Sequence, residues 1–279
     1  MTPLALTLRR NPFARIDMSP LTPDRLAGLT RDAIARLRLV CGRQQTCVGD
    51  LFEITGRDPG LLQIRRATAQ LFRIGSQMRT GSIEVGGNAG DNLGERMQGG
   101  IIQVRGEAGE WVGASMAGGC ITVKGGVGHR VGAALPGQLI GMKDGLILVE
   151  GGAGDRVGER MRGGTIVTLG NIGAYLACRM RAGTIVVMGR AGPHIGIGMR
   201  RGTLVMGRKP ATLPAGFRSA GALKMEFLRL LFKQLGTVQS RLALFRNFGP
   251  EAIRLAGDLS VGGKGEMLVL LNVSQAQIK

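Results

Sequence analysis

The sequence predicts a mainly β protein, a right-handed parallel β-helix solenoid with a short N-terminal cap and a C-terminal helix followed by a β-hairpin. Three observations predict this fold. A glycine-rich unit returns every 19 residues, each unit is followed by a short β-branched run, and a methionine recurs once per unit. A unit of this length is too short for two helices or a propeller blade, but it can form one coil of a solenoid.

The repeat has the form G-x-x-G-x-x-x-G-x-x-M-x-x-G. Its first glycine column is unbroken and comprises Gly87, Gly106, Gly125, Gly151, Gly170 and Gly189. The third column has one exception, Ala177. Glycine suits such positions because it adopts tight or left-handed corners without a side-chain penalty. Between Gly132 and Met142 the spacing is seven residues longer, and the columns then resume. We therefore expect a loop inserted into one coil.

Each unit closes on a four-residue run that is rich in β-branched and apolar residues. The runs are SIEV, IIQV, CITV, LILV, TIVT, TIVV and TLVM. Their second position, mostly isoleucine, and their fourth, mostly valine, share one strand face, which predicts an inward-facing core. The methionine column comprises Met78, Met97, Met116, Met142, Met161, Met180 and Met199. We interpret it as core packing rather than metal or cofactor binding, because a flexible thioether fills a narrow interior well.

The flanking segments divide the chain into residues 1–60, 61–208 and 209–279. The first is predicted to cap the solenoid with helical turns near Thr22 and between Thr30 and Leu39, followed by a strand at residues 51–56. The solenoid occupies 61–208. After a linker with two prolines, residues 220–245 show an amphipathic helical pattern, and the chain closes with a predicted hairpin around Gly262 and Gly263.

The outward third position of the strands changes from polar to apolar along the solenoid. It reads Glu84, Gln103, Thr122, Leu148, Val167, Val186 and Val205. The four aliphatic residues need a cover, either the C-terminal helix or a partner subunit. We favour the helix because it is already part of the chain.

The chain carries 37 basic and 19 acidic residues, a net charge of +18. The position after the column methionine contains four cations in succession, Lys143, Arg162, Arg181 and Arg200. Adjacent coils are about 4.8 Å apart, so these residues would form a cationic ladder. Like charges at that spacing in water repel by about 1 kcal/mol per pair. Solvent, a nearby acid such as Glu159, or an anionic partner could each offset that cost.

Other functional classes find little support in the sequence. One tryptophan, one tyrosine and no zinc-finger spacing argue against a nucleic-acid partner. No apolar run approaches the roughly 20 residues of a membrane span, and the N-terminus lacks a signal-peptide pattern, so we expect a cytoplasmic protein. The four cysteines lack ligand spacing and are expected as free thiols, with Cys120 in a strand.

No catalytic or metal-ligating group is evident. Both histidines, His129 and His194, occupy turn positions of the repeat, where we expect exposed structural residues. The segment GDLSVGGKG resembles a phosphate-binding loop, but it has an extra glycine before Lys264 and lacks the Ser or Thr that would hold magnesium. A hairpin turn is the favoured interpretation.

The glycine-methionine repeat resembles the β-helix domain shared by the C-terminal part of the glutamate synthase large subunit and by the C subunit of formylmethanofuran dehydrogenase. The flanks resemble the second of these. The segment LTPDRLAGLTRDAIARLRLVCG followed by VGDLFEITG is similar to the beginning of that C subunit, and GDLSVGGKGEMLVL is similar to its end. A glutamate synthase-like activity is not expected, because no amidotransferase or flavin domain is present.

The resemblance implies a non-catalytic structural subunit of an enzyme complex in one-carbon metabolism. In the bacterial formyltransferase/hydrolase complex, a formyl group passes from tetrahydromethanopterin to a methanofuran-type cofactor and is hydrolysed to formate by other subunits. The implied partners are amidohydrolase-like, formyltransferase-like and dehydrogenase B-like subunits. The excess of arginine over lysine favours this bacterial version. The alternatives are the C subunit of a molybdenum or tungsten formylmethanofuran dehydrogenase and a polyanion-binding protein.

The resemblance also suggests a role for the basic ladder. The furan cofactor of the bacterial complex is expected to carry a polyglutamate tail, which a strongly basic chain could attract. We therefore expect Lys143, Arg162, Arg181 and Arg200 to contact either that tail or an acidic neighbouring subunit. No cofactor is expected to bind tightly to this chain alone.

Overall fold

The computed structural model describes residues 2–238, 243, 245 and 248–271, and its main feature is a long stack of parallel strands. The N-terminal elements are β1 (Pro3–Leu8), β2 (Ile16–Asp17), α1 (Pro23–Leu26), α2 (Arg31–Arg36), β3 (Arg38–Cys41), β4 (Gln44–Cys47), α3 (Val48–Leu51) and β5 (Phe52–Thr55). The coils contain β6 (Asp58–Arg65), β7 (Leu71–Phe72), β8 (Ser82–Gly86), β9 (Ile101–Val104), β10 (Ala117–Val123), β11 (Asp144–Val149), β12 (Thr165–Thr168), β13 (Thr184–Val187) and β14 (Arg201–Met206).

Successive coils pair in parallel and in the register that the repeat predicts. Ile102 pairs with Ile83 on one side and Ile121 on the other. The predicted core columns are confirmed. The seven column methionines are fully buried, as are the isoleucines that face them. A second line of parallel bridges joins the turns on the opposite side of the coils, through Ala89, Ala108, Val127, Ala153, Ile172 and Ala191. In each of the two lines, a residue pairs with its counterpart in the next coil, and this pattern defines a solenoid.

The N-terminal segment extends the long sheet at its first end. Strand β1 pairs in parallel with β6 and antiparallel with β5, so the first coil has no open edge there. The predicted strand at 51–56 and the helical turn after Thr22 are confirmed. The second helix ends at Arg36, and Leu39 lies in β3, so that helix is shorter than its apolar spacing suggests.

The C-terminal segment contains β15 (Arg218–Lys224), α4 (Glu226–Val238), β16 (Glu251–Gly257), a 3-10 turn (Leu259–Val261) and β17 (Lys264–Leu270). The predicted start of the helix at residue 220 was wrong, because residues 218–224 form an exposed edge strand antiparallel to β16. Leu242, part of the predicted helical pattern, lies outside the described residues. The hairpin prediction is confirmed, with Gly262 at φ +104° and Gly263 at φ +61° between β16 and β17.

The helix α4 covers the apolar outer face of the strands, as expected. Its Leu228, Phe232 and Leu235 are buried in a cluster separate from the solenoid interior. The cluster also contains the four outward aliphatic residues Leu148, Val167, Val186 and Val205. This packing removes apolar surface from water that would otherwise need a partner chain. None of the helices in the described part of the chain is long and apolar enough to cross a membrane.

Candidate functional site

The four predicted ladder residues lie in line on one exposed face of the solenoid. Each follows a buried methionine, and its backbone N–H donates to the carbonyl oxygen of the column methionine of the previous coil. The N–O distances are 2.7 Å from Lys143 to Met116 and 2.8 Å from Arg162 to Met142, from Arg181 to Met161 and from Arg200 to Met180. The coil pairing therefore fixes the line of the ladder, and all four side chains are exposed.

A second row of arginines, which the repeat pattern did not reveal, precedes three of the column methionines, Met97, Met161 and Met180. It contains Arg96, Arg160 and Arg179, each with a left-handed backbone near φ +55°. These residues are close in space to the ladder because the chain turns sharply there. The signal was present in the sequence as Arg-Met-Arg at residues 160–162 and 179–181.

The two rows converge on a small cavity of about 270 Å³. Its lining includes the arginines Arg160, Arg179, Arg181 and Arg200, together with Leu139 and Val261, and no carboxylate. A second, wider depression of about 820 Å³ on the other side of Leu139 is lined by Arg96 and Lys143 among others. Arg162 lines neither of these cavities. Of the four predicted ladder residues, Arg181 and Arg200 thus line the small cavity, and Lys143 lines the wider depression.

Most of this positive charge is not neutralised within the part of the chain that the structure describes. Arg179 and the four ladder residues make no ion pair with any described residue. Glu159, a candidate counter-charge, pairs instead with Arg156, whose Nη1 is 3.3 Å from its Oε1. The arrangement is suited to binding an extended or multivalent anion.

Residues 133–141, which contain the seven-residue insertion, form a loop at the centre of this basic face. Gln138 is held on three sides. Its N–H donates to the carbonyl oxygen of Leu135 at 2.9 Å, its Oε1 accepts from the hydroxyl of Ser115 at 2.7 Å, and its carbonyl oxygen accepts from Nη1 of Arg160 at 2.8 Å. The next residue, Leu139, is 64% exposed and lines both cavities.

The histidines and several carboxylates have structural roles at the opposite corner of the coils. His129 Nδ1 accepts the backbone N–H of Asp155 at 2.8 Å, and Asp155 in turn accepts the N–H of Ala174. Asp91 accepts the N–H of Glu110 in the same way. His194 is exposed and stacks on Tyr175, with ring centroids 4.8 Å apart. The interpretation of both histidines as exposed turn residues is confirmed.

The same corner carries stacked cations and rings. The guanidinium of Arg130 lies 4.9 Å from the ring of Trp111, and that of Arg156 lies 5.1 Å from the ring of Tyr175. Their charges are offset, because Arg130 pairs with Glu110 and Arg156 with Glu159. This corner is therefore much closer to neutral than the basic face.

The four cysteines are free, as expected. Burial raises the pKa of the Cys120 thiol and, together with the nearby carboxylate of Glu159, that of the Cys178 thiol. Both thiols are thus protonated near neutral pH and poor nucleophiles. Within the described residues, no group of three or more His, Cys, Asp and Glu side chains is placed to hold a metal ion.

The segment that resembles a phosphate-binding loop is the turn of the C-terminal hairpin. Asp258 in this turn accepts N–H groups from Ser260 at 2.9 Å and from Gly198 in the last coil at 3.0 Å. Burial disfavours the charged carboxylate, but these hydrogen bonds outweigh burial and lower the pKa of Asp258. The side chain therefore fastens the hairpin to the end of the solenoid.

Comparison with known proteins gives matches of three kinds, to a family model, to a curated protein and to a solved structure. The GXGXG motif family model matches residues 67–215. The C subunit of the formyltransferase/hydrolase complex (Fhc) of Methylorubrum extorquens is 39% identical over 88 residues, which are 32% of this chain and 33% of that protein. The aligned part is thus about a third of this curated relative.

Among solved structures, the chain matches one in the crystal structure of the formyltransferase/hydrolase complex (FhcABCD) from Methylorubrum extorquens in complex with methylofuran. It superimposes with a TM-score of 0.87 at 37% identity, covering 96% of this chain and 100% of that chain.

Proposed function

The chain belongs to the GXGXG motif family and to the family of formyltransferase/hydrolase C subunits, and we propose that it is a non-catalytic structural subunit of such a complex. The observation that carries the proposal is its likeness, over the whole length of the matched chain, to a component of the crystallised methylofuran-bound complex. A solenoid with two covered ends and a continuous side surface suits a scaffold that contacts several neighbours.

The chemistry of the proposed complex belongs to its other subunits. They transfer a formyl group from tetrahydromethanopterin to a methanofuran-type cofactor and hydrolyse it to formate. Three side chains of a type that can catalyse reactions, His129, Asp91 and Asp155, instead accept backbone N–H groups of the next coil. The proposed partners are amidohydrolase-like, formyltransferase-like and dehydrogenase B-like subunits in the cytoplasm.

We also propose that the coils wind in the right-handed sense, that the chain divides at residues 60 and 208, and that the complex is cytoplasmic. The parallel pairing from β6 to β14 supports a solenoid of one hand throughout.

The basic ladder is proposed to attract an anionic partner, either the polyglutamate tail of the furan cofactor or an acidic neighbouring subunit. Support comes from the exposure of Lys143, Arg162, Arg181 and Arg200 and from the lack of a counter-charge among the described residues. The double variant Arg162→Glu/Arg181→Glu should weaken cofactor capture or assembly, and the loss should depend on salt concentration. The matched control is Arg31→Glu/Arg43→Glu, which makes the same charge change on the exposed N-terminal cap. An unchanged KM with intact assembly would contradict the proposed role of the ladder.

Purification from the native host tests the function itself. A tagged chain should bring down companions that resemble an amidohydrolase and a formyltransferase, identified by mass spectrometry, without stoichiometric molybdenum or tungsten. Those metals, together with iron-sulfur proteins, would favour the C subunit of a formylmethanofuran dehydrogenase. A chain that purifies alone and binds nucleic acid in a salt-sensitive way would instead favour the polyanion-binding alternative.

A further inference from the structure

We propose that the loop at residues 133–141 is a docking knob, which inserts Leu139 into an apolar socket with an acidic rim on a neighbouring subunit. This inference rests on the proposed function, because it names the surface through which this chain contacts a partner and the chemistry of that partner.

The loop does not disturb the pairing of the strands that flank it. The strands before and after it remain paired in the common register, with Thr122 opposite Leu148 and Val123 opposite Val149. The loop therefore leaves the coil and returns to it. Its first residues, Ala133 to Leu135, are buried against the coils, whereas Pro136, Gly137 and Leu139 are exposed. Leu139 is among the most exposed large aliphatic side chains of the described chain, so its burial contributes little to the stability of its own chain.

The loop is nevertheless held in one shape. Gly137 has φ +77° and follows Pro136, which forms a tight turn closed by the hydrogen bond from Gln138 to Leu135. The three bonds to Gln138 fix the residue next to Leu139, and the N–H of Gly141 donates to the carbonyl oxygen of Arg160 at 2.9 Å. A side chain presented by a rigid loop loses little conformational entropy when it binds, which favours affinity.

The surroundings of Leu139 specify the partner. Arg96 and Lys143 lie on one side of it, and the four arginines of the small cavity lie on the other. An apolar anchor inside a charged rim is the usual plan of a protein interface. Since the rim is positive and Arg179, Arg181 and Arg200 have no counter-charge among the described residues, the complementary rim should carry carboxylates. A nucleic acid would meet the same cations, but it offers no aliphatic socket for an exposed leucine.

The experiment compares variants in the co-expressed complex. Leu139→Ala should weaken binding of this chain to the complex by about 30-fold, the effect expected when an interface anchor is truncated, and Leu139→Glu should abolish co-purification. The matched control is Leu230→Glu on α4, because Leu230 is 71% exposed and lines neither of the two cavities beside Leu139. Circular dichroism and thermal melting should be unchanged in all three variants, since neither leucine is buried. The charge variant Arg181→Glu/Arg200→Glu should bind more weakly and with a smaller salt dependence.

The outcomes separate this inference from the proposed function. If the wild-type chain brings down its companions and Leu139→Glu does so equally well, the docking knob is wrong while the complex stands. If the wild-type chain brings down no companion, the proposed function fails and the inference fails with it. Co-purifying nucleic acid, released by the charge variant but not by Leu139→Glu, would also overturn the inference.

Discussion

The third glycine column provides a test of how the coils fit together. Gly132 has φ +64°, and a Cβ atom there would lie 2.6 Å from Cδ1 of Ile166 in a later coil. Gly94, Gly113 and Gly158 of this column would meet Ile121, Ile147 and Ile185 in the same way, whereas Gly196 in the last coil would meet the ring of Phe217. Ala177 replaces glycine in this column. The step along the chain that leads from Gly158 to Ile185 leads from Ala177 to Leu204, which replaces isoleucine in its own column. The two exceptions coincide, so we infer that leucine leaves room for the alanine methyl group where isoleucine does not.

The substitution Gly132→Ala should therefore destabilise the protein through two effects. An alanine in the left-handed region costs about 1 kcal/mol relative to glycine. The collision with Ile166 is overpacking of a dense core, which costs about 1–3 kcal/mol. Together they lower the free energy of unfolding by about 2–4 kcal/mol. In the double variant Gly132→Ala/Ile166→Leu, the stability loss from overpacking should disappear, and only the cost of the left-handed alanine should remain.

Urea unfolding followed by circular dichroism measures these differences. The single variant Ile166→Leu is the control, and it should cost less than about 1.5 kcal/mol because side-chain volume is conserved. The mirror experiment, Leu204→Ile, should destabilise the wild-type chain because it restores the collision with Ala177. A Gly132→Ala variant within about 0.5 kcal/mol of wild type, or a double variant no more stable than the single one, would refute the explanation.

Three further predictions concern the turns and the thiols. Asp258→Asn should lower the Tm near neutral pH, because the amide cannot accept from both Ser260 and Gly198. The pKa of Asp258 is lowered from 3.8, so its stabilisation is present above about pH 4 and is lost as the pH falls through the lowered value. The Tm difference from wild type should therefore shrink in acid, and a difference that is constant down to about pH 2 would contradict this role. Asp91→Ala should lower the free energy of unfolding by about 1–2 kcal/mol, since it leaves the N–H of Glu110 without its acceptor. Asp91→Asn keeps an acceptor oxygen and should cost less than half as much, and equal losses would argue against the capping role. At neutral pH, a thiol reagent should modify the half-buried Cys47 before the buried Cys178, whose pKa is raised, as mass spectrometry of partly labelled protein can show. The reverse order would contradict the burial of Cys178.

The solenoid interior could be predicted from the repeat, because equivalent positions in every coil have the same surroundings. Isoleucine, valine and methionine recur at positions that must face inward, and glycine recurs where the chain turns, so the columns report burial directly. The apolar third position of the later strands likewise predicted that the C-terminal helix would cover Val167 and its neighbours. These predictions held because each depends on one residue type in a fixed register.

The elements that were missed or misplaced lie outside the repeat. Strand β1 pairs with β5 and β6, which are distant in the sequence, and its residues carry no periodic signal that identifies a partner. Strand β15 is exposed along its length, so no alternation of buried and exposed residues distinguishes it from the start of the helix that follows. The start of α4 was therefore placed too early.

For the candidate site, the sequence alone determined the line of the ladder, because Lys143, Arg162, Arg181 and Arg200 occupy one position of a repeat whose coils stack in register. Only the tertiary structure decided that Arg160 and Arg179 join Arg181 and Arg200 around one cavity. The left-handed turns before the column methionines bring the two arginine rows together. Arginine does not favour a left-handed backbone, so the sequence did not predict these turns. The place of Leu139 between the two cavities was also decided by the structure, since an insertion has no counterpart in the other coils. The hydrogen bonds that the neighbouring Gln138 accepts from Ser115 and Arg160 set its position.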